Sequence, residues 1–373
     1  MNTHIDVTEI RSEKDILDLV ERGKGDASYF PHFLALLEER HPVYTGIDSS
    51  AVTRIRGVLI QVLAYRALPD TALPFVLAEL ESAFDPWLTA VAAAALRKRP
   101  EPSSKFVEPL LEAILYIRHR DDLIYLDSYG GYNGNGKTTT ALQEIFQTLS
   151  WLGNLGQKAL PYLRDLSGEI HSKELLLVLN EVIIKLEASS TSVTENESEN
   201  GSEITRLYRP LSSEFGQIRL QDQSGAKFLL SDFFVGQPTV VVFFFTRCGN
   251  PSKCPLTITK LSRLQERLRE MKSSIRTVAI TYDPDYDDPR RLKQYARSWG
   301  VSIDENHRLV RALDNQASLR DFFKLGVSYG KSTVNQHQLE TYLLDQQGTL
   351  IGALRRKRLD ASKIIAEMTE LMT

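Results

Sequence analysis

Cysteine is nearly missing from this chain: two residues, Cys248 and Cys254, in 373 positions. That excludes a small disulfide-stapled scaffold, which needs many cross-links to replace a hydrophobic core. No run of 18 apolar residues occurs, so no segment reads as a membrane-spanning helix. The opening "MNTHIDVTEIRSEKDILDLV" lacks a basic stretch followed by an apolar one, so no signal peptide is expected and a cytoplasmic location is. Excess charge of either sign is also lacking. A formal net charge of -3 argues against a protein that coats nucleic acid. The halves differ: residues 207–373 hold 25 Lys and Arg against 18 Asp and Glu, whereas 1–206 hold 20 against 30.

What is present is ordinary globular composition, 42% hydrophobic and 25% charged, long enough for two or three domains. One stretch breaks it. "ASSTSVTENESENGSE" (188–203) is almost free of large apolar residues and cannot offset its ordering entropy by burial. We therefore expect a disordered linker over 188–206 between domains at 1–187 and 207–373.

The first of these reads as all-α. Apolar residues recur every three or four positions over 53–68, 72–84, 87–99, 106–120, 139–153 and 173–187. A motif also repeats: "TALPFVLAEL" (71–80), "FVEPLLEAIL" (106–115) and "KALPYLRDL" (158–166), with Pro74, Pro109 and Pro161 spaced 35 and 52 residues apart. Recurrence of this length in helix pairs is the signature of a helical solenoid. Residues 50–187 resemble the HEAT-repeat family, which implies a surface for a protein partner.

Within this region "GGYNGNGKTT" (130–139) matches the phosphate-loop pattern through Gly131, Gly136, Lys137 and Thr138. A working phosphate loop needs a parallel strand before it and a helix after it. "DLIYLDS" (122–128) passes for one short strand, but its surroundings are helical. No apolar strand ending in Asp offers a magnesium ligand. We read the stretch as an insertion between helices, with glycines for turning.

After the linker the periodicity changes. "QIRLQDQSGAKFLL" (217–230) is a hairpin pattern around Ser224-Gly225, and "TVVVFFF" (239–245) and "SIRTVAIT" (274–281) are buried strands. Helices are expected at 255–271, 288–300, 315–326 and 360–372, with a hairpin around Gln347-Gly348 in 340–354. That order is thioredoxin-like, an α/β fold. Cys248 follows the first buried strand, and Cys254 precedes the helix beginning at Pro255. Unpaired N–H groups at a helix start favour a thiolate, so Cys254 is the expected anion, with Arg247 and Lys253 reinforcing it. The bland alternative is two unrelated small buried hydrophobes.

"FFFTRCGNPSKCPLTITKLSRLQ", "ITYDPDYDDPRRLKQYA" and "HQLETYLLDQQGTL" resemble the SCO/SenC family of thioredoxin-fold proteins over roughly 210–373. That family is implicated in copper delivery to cytochrome c oxidase and in thiol–disulfide exchange. The resemblance implies a metal site of Cys248, Cys254 and His337, with copper as the metal, and a redox-active pair Cys248 and Cys254. It implies as partners a copper acceptor or a thiol reductant; the net charge already speaks against nucleic acid. Two soft thiolates and an imidazole suit Cu(I) independently of the resemblance. His337 alone would read as a surface or capping histidine. Asp283 and Asp287 read as turn and helix-cap residues. The intercysteine loop "GNPSK" has five residues where the family usually has three. A metal-free thiol–disulfide oxidoreductase, or a helical scaffold carrying a redoxin domain, are the alternatives. The peroxiredoxin pattern P-x-x-x-T-x-x-C is absent.

Overall fold

The computed structural model describes residues 10–120, 122–189 and 204–372. The chain divides into two compact units, Met1–Ser198 with Ser328–Lys331, and Glu199–Val327 with Ser332–Thr373.

The first unit is helical: α1 (Glu13–Gly23), α2 (Phe30–Leu37), α3 (Ser49–Leu63), α4 (Leu73–Glu81), α5 (Pro86–Leu96), α6 (Val107–Ile117), α7 (Ala141–Leu152), α8 (Leu160–Leu166) and α9 (Lys173–Ala188). Local chemistry starts them where it should. The Asp85 carboxylate accepts from Leu88 N at 2.9 Å, and Pro86 opens α5, where its missing N–H has no helical partner to lose. Nearly every α5 side chain is buried, as suits an alanine-rich helix in the interior. The helices α2, α4, α6 and α8 are each entered through a 3-10 turn, at 27–29, 70–72, 104–106 and 153–159. A proline sits in the first turn of each: Pro31, Pro74, Pro109 and Pro161. The stretch "YFPHFLALL" at α2 is a further copy of the motif. Helix α2 packs on α3, α4 on α5, α6 on α7 and α8 on α9, and α3, α5, α7 and α9 pack in succession.

Residues 122–140 form a loop between α6 and α7, with one antiparallel bridge, Ile124 to Thr139. Among the described residues of this unit no parallel strand lies behind Lys137, which is exposed. The loop is instead held by its own turns. Tyr125 N donates to Gly131 O at 2.7 Å, and Gln61 Nε2 and Trp87 Nε1 both donate to Leu126 O. Gly131 has a φ of +82°, and a Cβ there would stand 2.3 Å from the Trp87 ring. Its glycine serves close packing.

The rest of the chain is α/β: β1 (Thr205–Arg209), α10 (Ser213–Gly216), β2 (Arg219–Asp222), β3 (Lys227–Leu229), α11 (Leu230–Phe234), β4 (Thr239–Phe244), α12 (Cys254–Glu270), β5 (Arg276–Thr281), α13 (Pro289–Ser298), β6 (His307–Ala312), α14 (Gln316–Phe323), β7 (Val327–Tyr329, at the division between the units), β8 (Val334–His337), β9 (Glu340–Leu344), β10 (Leu350–Arg355) and α15 (Ala361–Met372). Eight strands form one sheet in the order β1-β10-β9-β4-β5-β6-β2-β3, while β7 and β8 lie outside it. The central β4, β5 and β6 are parallel, and the flanking pairings are antiparallel. Both hairpins expected from the sequence are present, as β2–β3 and β9–β10. Every residue of β4 is buried, as its continuous apolar run requires.

One expectation needs correction. The linker bounds of 188–206 were too wide, because Ala188 ends α9 and Thr205 and Arg206 begin β1. Edge-strand pairing with β10 captures a sequence of mostly exposed side chains that composition alone cannot mark. The remainder of that linker, 190–203, lies outside the described residues. His337 ends β8, and β9 begins at Glu340.

The helical unit buries an ion cluster. Arg56, 1% exposed, donates to Glu79 Oε1 at 2.6 Å, to Leu37 O at 2.7 Å and to Glu39 Oε1 at 3.3 Å. Arg56→Ala leaves two carboxylates buried without their counter-charge and should destabilise the protein by about 3–5 kcal/mol, read from urea unfolding. By contrast, Lys137→Ala should leave both the melting temperature and its response to ATP unchanged. Nucleotide stabilisation lost in that variant would restore the phosphate-loop reading.

Candidate metal and thiol centre

Three side chains from distant segments converge beyond the carboxyl end of β4. Cys248 Sγ lies 3.5 Å and Cys254 Sγ 3.6 Å from the same atom, His337 Nε2. Cys254 and His337 are buried and Cys248 is partly so. The other imidazole nitrogen, Nδ1, is 3.2 Å from Gln338 O. A carbonyl only accepts, so Nδ1 carries a proton there, and Nε2 is the nitrogen that faces the sulfurs. The rings of Phe245 and Tyr282, each centred 5.5 Å away, wall the imidazole in. Among the described residues this is the grouping of His, Cys, Asp or Glu compact enough for an ion, with all donor atoms within 4.8 Å of one another. The sequence-predicted site residues Cys248, Cys254 and His337 are thus brought together.

The five-residue loop is built, not slack. Asn250 Oδ1 accepts from Ser252 N at 2.9 Å and from Ser252 Oγ at 2.6 Å, and Lys253 N donates to Asn250 O. This Asx turn closes the additional length and delivers Cys254 as the first residue of α12. At the other end, Asp287 clamps the approach to Cys248. Its carboxylate accepts from Thr246 N at 3.1 Å and from the hydroxyls of Thr246 and Thr281. Asp287 was expected as a helix cap; that place belongs to Asp288, which accepts from Arg291 N, while Asp287 is fully buried. Asp283 takes Arg247 in an ion pair at 2.5 Å, so the Arg247 charge is spent at the rim of the site.

With this geometry in place, the chain can be set beside known proteins. Residues 209–373 match the family model described as SCO1/SenC. This part of the chain is an SCO1/SenC domain. An SCO2-like protein of Rickettsia prowazekii (strain Madrid E) is 30% identical over 139 residues, which are 36% of this chain and 65% of that protein. The chain therefore spans just under two thirds of the length of this curated relative. Among solved structures, BsSco, described as a Sco-family cytochrome c oxidase assembly protein with a disulfide switch, is 22% identical. It gives a TM-score of 0.38 and covers 44% of this chain and 94% of its own. Yeast Sco1 with copper bound is 21% identical, with a TM-score of 0.35, covering 44% of this chain and 88% of its own. Among the described residues of this chain, no helix is long and apolar enough to cross a membrane.

Electrostatics in the SCO1/SenC domain reverse one expectation. The anionic sulfur is Cys248, not Cys254. Cys248 is drawn well below the ordinary thiol value of 9.0, first by the hydrogen bond from Cys254 and then by His337. Cys254 is pushed up, first by burial and then by the neighbouring Cys248 charge. The helix start favours a Cys254 anion, but complete burial outweighs it. The two protons belong to the pair, and the first leaves easily because the second sulfur keeps its own.

A buried carboxylate missed by the sequence reading supports the imidazole. Glu340, 3% exposed, accepts from Tyr282 OH at 2.6 Å, Tyr342 OH at 2.7 Å and Gln338 Nε2 at 2.9 Å. Tyr282 thereby holds its ring against His337. The signal was a lone acid beginning the apolar run "ETYLL", three residues after the histidine.

Asp287 generates a pH prediction. Burial raises its pKa above the ordinary 3.8, so the folded chain holds this proton more tightly than the unfolded chain does. The associated stability is full below 3.8 and is lost as pH rises through the raised value. The stability advantage of wild type over Asp287→Asn should therefore shrink as pH rises above 3.8 in urea unfolding. An advantage that grows with pH would show that Asp287 is held as a stabilised anion.

Proposed function

We propose that the SCO1/SenC domain binds one Cu(I) through Cys248, Cys254 and His337 and delivers it to a protein acceptor in cytochrome c oxidase assembly. The observation that carries this reading is one imidazole nitrogen at 3.5 and 3.6 Å from two sulfurs. The donor set fits: two soft sulfurs and one imidazole match Cu(I), and no carboxylate joins the group. In this reading copper is cargo. The chain's own residues supply the rest. The loop of Asn250 and Ser252 presents the sulfurs, Asp287 holds the strand end, and the Glu340–Tyr282 pair orients the imidazole. The helical unit, with its repeated proline-entry helices, acts as a HEAT-like module that docks the partner.

The unequal thiols favour a second reading, a metal-free oxidoreductase. The Cys248 thiolate, the more exposed of the two, would attack a substrate disulfide and form a mixed disulfide with release of one substrate thiolate. Cys254, giving up its proton, would then attack Cys248 Sγ and release the second. The substrate disulfide is reduced to two thiols, and Cys248–Cys254 becomes the disulfide.

Competition for Cu(I) against a chromogenic chelator separates the two. Cys248→Ser and Cys254→Ser should abolish binding. His337→Ala should weaken it by more than the roughly 10–100-fold typical of losing an outer contact, while leaving dithiol–disulfide cycling intact. A wild-type protein that does not compete for copper yet cycles its dithiol would leave the oxidoreductase reading.

A further inference from the structure

The residue before Cys254 does something the loop's length alone does not require. Lys253 is 9% exposed, and its ammonium donates to the His337 carbonyl at 2.8 Å, across 84 residues of sequence. A lysine is costly to bury, and burial is tolerated where the ammonium meets specific partners. Among the described residues no carboxylate lies within ion-pair distance of this one. Its hydrogen-bond acceptor is the backbone of a metal-ligand candidate, and its charge acts on the adjacent Cys254 thiol, favouring loss of that proton.

The contact acts on the peptide that sets the imidazole. His337 is the last residue of β8, and β9 begins at Glu340, so the 337–338 peptide lies past the end of β8, with one hydrogen bond on its carbonyl and one on its N–H. Its carbonyl is gripped by Lys253. The next carbonyl, Gln338 O, is the one His337 Nδ1 faces. Gln338 N in turn donates to Gly326 O at 2.9 Å. Rotating the 337–338 peptide would break the Lys253 bond and shift the peptide that carries the partner of Nδ1. We propose that Lys253 is a positioning residue for His337, a tether from the intercysteine loop that fixes the peptide aiming Nε2 at the two sulfurs. The loop thus carries both thiols and the device that aligns the third donor with them. A metal ligand held through its backbone as well as its distal nitrogen is pre-organised, and pre-organisation appears as affinity.

The first readout rests on the copper reading; the second does not. Cu(I) competition is measured in the full chain for wild type, Lys253→Met, His337→Ala and the double variant. Lys253→Met keeps the side-chain length and removes the donor. It should weaken binding roughly tenfold, within the range for losing an outer contact, and should cost nothing further when His337 is already alanine. Equal losses in both backgrounds would show that the lysine acts on the sulfurs or the fold, and would overturn the proposal, as would no loss at all. The second readout is the imidazole 15N spectrum of the reduced, metal-free protein. Wild type should show one Nδ1-protonated tautomer for His337, and Lys253→Met a mixture of tautomers. An unchanged spectrum overturns the proposal. Should wild type fail to bind Cu(I), the copper reading falls and this spectrum alone decides. Lys253→Leu gives the same readouts should the methionine variant not fold.

Discussion

The pairing of β4 with β9 is the constraint on which the site depends. Val242 stands opposite Thr341 in that antiparallel register, and both strands are buried throughout. Cys248 follows Val242 by six residues and His337 precedes Thr341 by four, so the register alone carries the two toward the same end of the sheet. A slip of one residue would move every side chain of the slipped strand to the opposite face of the sheet, into packing shaped for its neighbours, which is why the register is secure. Closing a loop of this length costs entropy that grows only slowly with length. The buried sheet offsets it, and the donors converge as a consequence of core formation.

Around that convergence the protein buries ionisable groups and gives each of them partners. Asp287 meets two hydroxyls and an N–H, Glu340 two phenols and an amide, and Lys253 a carbonyl. Unpaired, each would oppose folding; paired, each removes freedom from the segment it touches. The same burial sorts the two thiols. One sulfur can be charged because the other stays protonated and donates to it, so the site holds one negative charge where two would repel.

How much of this could be read beforehand varies with the element. The apolar runs of β4 and β5, the two hairpins and the amphipathic helices were legible because burial imprints a period on the sequence. Strand β6, "HRLVRA", was not. Its arginines interrupt the apolar pattern, yet their charged ends reach Asp222, Gln221 and Pro284 O from a central strand. Strand β1 was hidden for the opposite reason, since it lies beside a polar stretch and takes its conformation from β10. The glycine-rich stretch matched a phosphate loop letter for letter, and its setting between α6 and α7 gives Gly131 a packing role against Trp87.

The sequence by itself determined that the chain has two units, that its only two cysteines lie between a buried strand and a helix start, and that soft-metal or dithiol chemistry is the chemistry to expect there. Those are local facts, written in periodicity and in the positions of scarce residues. Only the tertiary structure decided which sulfur carries the charge, which nitrogen of His337 faces it, that Asp287 is a clamp and not a cap, and that Lys253 reaches the histidine's carbonyl. Each depends on burial and on contacts across tens of residues, and desolvation is a property of the packed neighbourhood that no local pattern records.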